Sequence, residues 1–187
     1  LLVRQPKRFL ADLSDYEVFD NHGRQVAQVR EQGAGGGMQV LRALYRGTGG
    51  FARRVHVDDM FGHTRLIIQK HWSWVTASTS VLLPNGRLVG SIEQGMRFFG
   101  ARFTLRDPDK HTIGVIEGDV VGMDFRIKDP ADHEVARVDR NIPDLGEVFT
   151  TADSYVLHRR YSSLPQPLDT LVVASAIAID LVLHEGK

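Results

Sequence analysis

The sequence predicts a mainly β protein, a closed twelve-stranded barrel around a hydrophobic C-terminal α-helix. Two observations predict it. Five segments repeat one hairpin pattern, and the stretch from Leu171 to Leu183 is apolar apart from Ser175 and Asp180. A helix without a polar face must be enclosed by protein or by lipid. The thirteen residues of this stretch reach only about 20 Å at the helical rise. A bilayer span needs roughly 20 apolar residues. Burial inside the protein remains, and a ring of hairpins provides the enclosure.

The hairpins run from Tyr16 to Val29, Val55 to Ile68, Thr79 to Ile92, Arg102 to Ile116 and Asp124 to Val138. Each alternates apolar and polar residues, which puts one side-chain set on a buried face and the other in water. Each is interrupted by acidic or amide residues with Gly or Pro. Asp and Asn hydrogen-bond their own backbone, Pro sets φ, and Gly supplies positive φ. Asn85-Gly86 is the strongest single hairpin signal. Asp58, Pro84, Asp107 and Asp129 mark turns at nearly even spacing, and a Gly-rich insertion at residues 32–50 sets the first hairpin apart. Such regularity indicates a meander that closes on itself, because closure removes edge strands. Five hairpins give ten strands, and the segments Pro6 to Leu13 and Val148 to Arg160 supply two more.

The core helix is expected over about residues 168–184. Leu168 opens it, and Asp169 in its first turn is favoured by the helix dipole. Leu171, Ile177, Ile179 and Leu183 fill the barrel. Asp180 needs a partner, because an unpaired buried carboxylate is costly. It either pairs with a basic residue inside the barrel or lies at the barrel mouth.

A chain of 187 residues suits one domain with a sizeable core. Lys plus Arg equals Asp plus Glu at 23 each, so net charge gives no argument for nucleic acid as a partner. Residues 1–56 carry nine basic and five acidic side chains, a net of +4, and residues 57–187 carry fourteen and eighteen, a net of −4. A basic N-terminal third is compatible with an anionic surface. The absence of cysteine excludes disulfides, thiolate metal sites and S-acylation in these residues. A reducing cytoplasm is the default compartment. The first residues lack the apolar core of a signal peptide.

The block from Phe149 to Tyr155, then Leu168-Asp169, then Ala176 to Asp180, resembles the C-terminal signature of phospholipid scramblase-related proteins. Val89-Gly90-Ser91-Ile92 and Ile113-Gly114-Val115-Ile116 are similar to the repeat of the wider group that includes LURP-one-related proteins. The resemblance runs from about Leu2 to Leu183. It implies a Tubby C-terminal-like fold and an association with phospholipid membranes. The family's calcium loop corresponds here to the stretch from Thr151 to Ser162, a degenerate version with Asp153 as its one carboxylate and with Arg159 and Arg160 adding repulsion. Calcium wants several oxygen ligands, usually with more than one carboxylate. Neither a metal nor any other cofactor is expected.

The candidate lipid or partner contact is a basic and aromatic patch of Arg53, Arg54, Lys70, Trp72 and Trp74. Two indoles on one extended face would anchor a protein at a lipid interface. The plainer reading buries them in the barrel wall. Met38 to Arg46 reads as a short helix, either membrane-facing or packed over one barrel end. His22, His63, His111 and His133 all fall in or near turns, as a metal or pH-sensitive rim or simply as exposed turn residues. No catalytic constellation stands out, so the chain does not read as an enzyme.

Strands such as Arg102 to Arg106 and Asp124 to Lys128 would turn charges outward, the wrong polarity for a lipid-spanning barrel. The expected function is therefore a scramblase-related, LURP-one-like module that binds phospholipid or phosphoinositide at a membrane surface. The expected location is the cytoplasm, peripheral at the inner face of the plasma membrane. The alternative is a cytoplasmic protein-interaction scaffold without a lipid role. Phospholipid scrambling stands third.

Overall fold

The computed structural model of the chain describes residues 1–4, 16–31, 53–71, 78–95, 100–119, 124–139 and 154–183. All five hairpins form where the alternation places them. They supply β2 (Tyr16–Phe19) with β3 (Gln25–Glu31), and β4 (Arg53–Asp59) with β5 (Thr64–His71). Next come β6 (Ser78–Leu82) with β7 (Leu88–Gly95), and β8 (Ala101–Arg106) with β9 (Thr112–Asp119). The fifth pairs β10 (Asp124–Lys128) with β11 (Glu134–Asp139). The remaining strands are β1 (Leu2–Arg4) and β12 (Ser154–Arg159), and β1 closes the barrel by pairing with both β12 and β2. The N-terminal strand therefore lies upstream of the expected segment from Pro6 to Leu13, which falls outside the described residues.

The hairpins share one turn design. In each, the amide of the first turn residue donates to the carbonyl four positions on, as in Asp59 N to His63 O at 2.9 Å and Asp129 N to His133 O at 2.9 Å. The fourth turn residue is left-handed every time, at Gly23, Gly62, Gly86, Lys110 and Asp132. A register shift follows in the same hairpin. This is a tight turn joined to a bulge, which matches the twist of the flanking strands. The turn residue of the second hairpin is Asp59, one position beyond the expected Asp58. Its Oδ1 accepts the amides of Phe61 and His63, both at 2.9 Å. Asp58 is instead buried and accepts the Thr64 hydroxyl at 2.7 Å and Arg30 Nε at 2.8 Å.

These amides have an electrostatic consequence. Burial pulls the Asp59 carboxyl upward, but the amides of His63 and Phe61 and the Arg65 guanidinium outweigh it and hold its pKa at about 2. Asp20 and Asp129 are also held below the usual carboxylate range, chiefly by the amides of Arg24 and His133.

The helix α1 (Leu168–Leu183) runs through the barrel and packs most closely against β5, β6, β7 and β12. Every hairpin turns at the same rim, and β12 ends at that rim, so α1 enters the barrel there. Asp169 fixes its first turn, ion-paired to Arg159 and accepting the Leu164 amide at 3.0 Å. Two glycines make room for the helix. A Cβ on Gly90 would stand 2.9 Å from Leu171 Cδ1 and would also strike the Arg106 carbonyl. A Cβ on Gly114 would stand 3.3 Å from Leu168 Cδ1 and 2.7 Å from the Lys128 carbonyl. These are the glycines of the repeated sequence motif. Their role is close approach of sheet to helix.

Two outcomes follow. Gly90→Val should destabilise the barrel by about 1–3 kcal/mol through overpacking, measured by urea denaturation. The second concerns acid. A carboxyl whose pKa is depressed in the folded state contributes stability above its unfolded value of about 3.9 and loses it as pH falls through the folded value. For Asp59 the loss should therefore run from about pH 4 down to about pH 2. Across that window the urea midpoint of wild type should fall more steeply than that of Asp59→Ala.

Candidate functional site

The two ends of the barrel differ, and the difference defines the candidate site. At the end where α1 finishes, the interior becomes polar. Val55 and Ile68 face the helix and are fully buried. Arg53 and Lys70 lie two positions along the same strand faces, directly paired in register. Both therefore point inward. Arg53 forks onto Glu31, with Nη2 to Oε2 at 2.9 Å and Nε to Oε1 at 3.3 Å. Lys70 is 6% exposed, and its Nζ donates to the Leu181 carbonyl at 3.3 Å. A cation is well placed at the negative end of a helix dipole.

Asp180 completes this end. It is 3% exposed, and the hydroxyls of Tyr16 and Tyr155 donate to its two oxygens, Tyr155 at 2.6 Å. The partners include these two tyrosines from β2 and β12, and they clamp the helix across the strand that closes the barrel. Leu168, Leu171, Ile177 and Ile179 are buried in the core as expected, and the Leu183 side chain lies outside the described residues.

The expected basic and aromatic patch is not assembled by the described residues. Arg53 and Lys70 serve the interior, whereas Arg54 is outward and exposed. Consecutive strand residues point to opposite faces, so Arg53 and Arg54 do not share a surface. Trp72 and Trp74 lie outside the described residues, as do Asp153 and the insertion at 32–50.

The rim of hairpin turns is different in character. The two residues at the tip of each turn are Asn21-His22, Met60-Phe61, Pro84-Asn85, Pro108-Asp109 and Pro130-Ala131. The second hairpin alone among the five carries two large apolar side chains there, Met60 at 53% and Phe61 at 86% exposure. The other large apolar side chains exposed among the described residues are Val26, Leu88 and Tyr161. Val26 belongs to the first hairpin, Leu88 to the third, and Tyr161 follows β12. β12, β1 and the first three hairpins are consecutive around the barrel, so these five residues are spaced along an arc of eight of the twelve strands. Arg24, Arg65 and Arg87 stand in the same arc and are exposed. The turns of the fourth and fifth hairpins complete the circle with charged groups, Asp107, Asp109 and Lys110 in one and Asp129 and Asp132 in the other. There Asp107, Asp109 and His111 are, among the described residues, the group whose possible metal-ligating atoms all lie within 4.8 Å of one another. Its Asp107 already accepts the His111 amide at 2.8 Å. His22, His63, His111 and His133 share this rim but occupy four separate hairpins.

A family model described as Scramblase matches residues 13–186. The chain belongs to the Scramblase family. Comparison with curated proteins and with solved structures gives no match. Within this family member, no described helix is long and apolar enough to cross a membrane. The outer wall of the barrel carries ion pairs, including Arg137–Asp124 at 2.5 Å and Arg102–Glu117 at 2.9 Å. A charged exterior around an apolar interior is the inverse of a lipid-spanning barrel.

Met60 and Phe61 are functional candidates that a reading of alternation and turn chemistry passes over. The signal was present in the alignment of the five tips, where a pair of large apolar residues replaces turn formers. For the opposite end, Tyr155→Phe should destabilise the fold by about 1.5–3 kcal/mol, the range for a hydrogen bond to a charged group. Urea denaturation of this variant and of Tyr16→Phe checks it.

Proposed function

We propose that this Scramblase-family barrel is a peripheral phospholipid-binding module that meets the membrane with its hairpin rim. The observation that carries the reading is the exposed Met60-Phe61 tip, with Val26, Leu88 and Tyr161 spaced along the same rim of a barrel whose wall carries ion pairs. Scattered exposed apolar residues need no explanation, but two large apolar side chains side by side at a turn tip mark a surface that is covered in use. An aromatic side chain at the interface with basic neighbours suits the boundary between headgroups and hydrocarbon. Arg87 would lie at headgroup level beside it and favour anionic lipid, whereas Arg24 and Arg65 are paired with Asp20 and Asp59. The inner face of the plasma membrane, which is anionic, is the location this reading favours. Binding at the surface needs no polar path through the bilayer, and the barrel interior supplies none because α1 occupies it.

Liposome flotation with neutral and anionic vesicles, at low and high salt, tests the reading. Wild type should float with anionic vesicles and lose part of its binding in salt, because exposed charges are screened. Phe61→Asp should reduce flotation by about tenfold or more, since one buried Phe side chain is worth that much. Trp72→Ala with Trp74→Ala tests the basic and aromatic patch in the same assay. A Phe61→Asp protein that floats as well as wild type would remove the hairpin rim from the contact. A wild type that floats in no condition would turn the arc into a surface for a protein partner.

A further inference from the structure

The helix does not fill the barrel evenly. A cavity of about 180 Å³ lies between one flank of α1 and the inner side of β1 to β5 and β12. Every residue that lines it is aliphatic, with Val18, Ala27 and Leu66 on the sheet side and Val173, Ala174 and Ile177 on the helix side. Ala27 and Ala174 make much of the space, because a larger side chain at either position would occupy it.

We propose that this cavity binds the end of one linear acyl chain, an inference that rests on the lipid-binding reading and names what the site takes from the lipid. Three features support a linear alkyl ligand. A buried water needs about two to four polar partners, and this lining offers none. An apolar cavity of about 150 Å³ stays dry and takes up a small apolar ligand. The cavity is also graded in exposure. Ala174 at its floor is buried, Val173 is half-buried, and Val26 at its edge is 38% exposed. A narrow chain can enter while a polar head stays outside.

The third feature is position. Val57 and Leu66, which line the cavity, lie on β4 and β5, the strands whose turn carries Met60 and Phe61. The cavity thus sits under the apolar arc of the rim. A chain drawn from hydrocarbon at that rim would reach the cavity past Val26, the exposed member of its lining.

The test titrates the full chain with monomeric alkyl phosphocholines and alkyl carboxylates of increasing length, read by calorimetry and native mass spectrometry. One ligand should bind per protein. Affinity should rise about fourfold per methylene, then level off once the cavity is full. Heads of either kind should bind equally at equal chain length. Ala174→Phe, and Ala27→Leu as a second filling variant from the sheet side, should weaken binding by about tenfold or more. Thermal melting confirms which of the two is folded. After incubation with phosphatidylcholine vesicles and their removal, a bound diacyl lipid identifies the membrane as the source, and a bound fatty acid identifies the free acid. Both are the proposed chain. Unaltered binding in a folded filling variant, several ligands per protein, or recognition of the carboxylate head alone would overturn the proposal. Vesicle flotation of Ala174→Phe separates this inference from the surface reading. A filled cavity should leave rim docking intact, whereas Phe61→Asp should weaken docking by about tenfold or more and still bind the monomeric amphiphile.

Discussion

A helix with no polar face has to be surrounded, and the rest of this chain is the surround. The apolar residues of α1 are hidden by strands from every part of the sequence, from Val3 on β1 to Leu157 on β12. Closure is what makes this work. An open sheet would leave one side of the helix in water and would expose two edges. The pairing of β1 with both β2 and β12 is therefore a condition for the helix, as the helix is a condition for an apolar barrel interior.

The constraint is met differently at the two ends. Where α1 ends, polar groups enter the interior and are matched there. Lys70 binds a terminal carbonyl, Arg53 binds Glu31, and two tyrosines hold Asp180. Such buried groups are costly unless paired, so they specify one position of the helix along the barrel axis. Where α1 begins, Asp169 anchors the first turn, but the flank beyond it meets β5, β6 and β7 more closely than it meets β2, β3 and β4. The space this leaves, and the apolar arc above it, are on the same side of the molecule. Rigidity at one end and access at the other arise from a single off-centre packing.

The repeated turn leaves the tip side chains of one rim free to vary. A tight turn with an internally bonded Asp tolerates many residues at its two tip positions, because the backbone is held by the Asp carboxylate and by the left-handed fourth residue. Met60 and Phe61 can therefore stand where Pro, Asn and Asp stand in the other hairpins without loss of the turn. Binding groups on such a frame are positioned by the scaffold and are free to vary.

The sequence by itself determined the hairpins, the helix and the enclosure of one by the other, because period-two alternation, turn chemistry and an apolar run are local properties. The glycines of the repeated motif were legible as a pattern, although their contact with Leu168 and Leu171 was not. The partners of Asp180 could not be read, since Tyr16 is 164 residues away from it in the chain. Nor could the inward turn of Arg53 and Lys70. Alternation says which residues share a face, but a strand that ends in polar residues does not announce how far the core extends along it. Barrel closure decided that, by bringing Glu31 and the end of the helix to those side chains. The apolar arc and the cavity under it are likewise products of strand order, because β12 and β1 come beside β2 and β3 only when the sheet curves shut and α1 settles to one side.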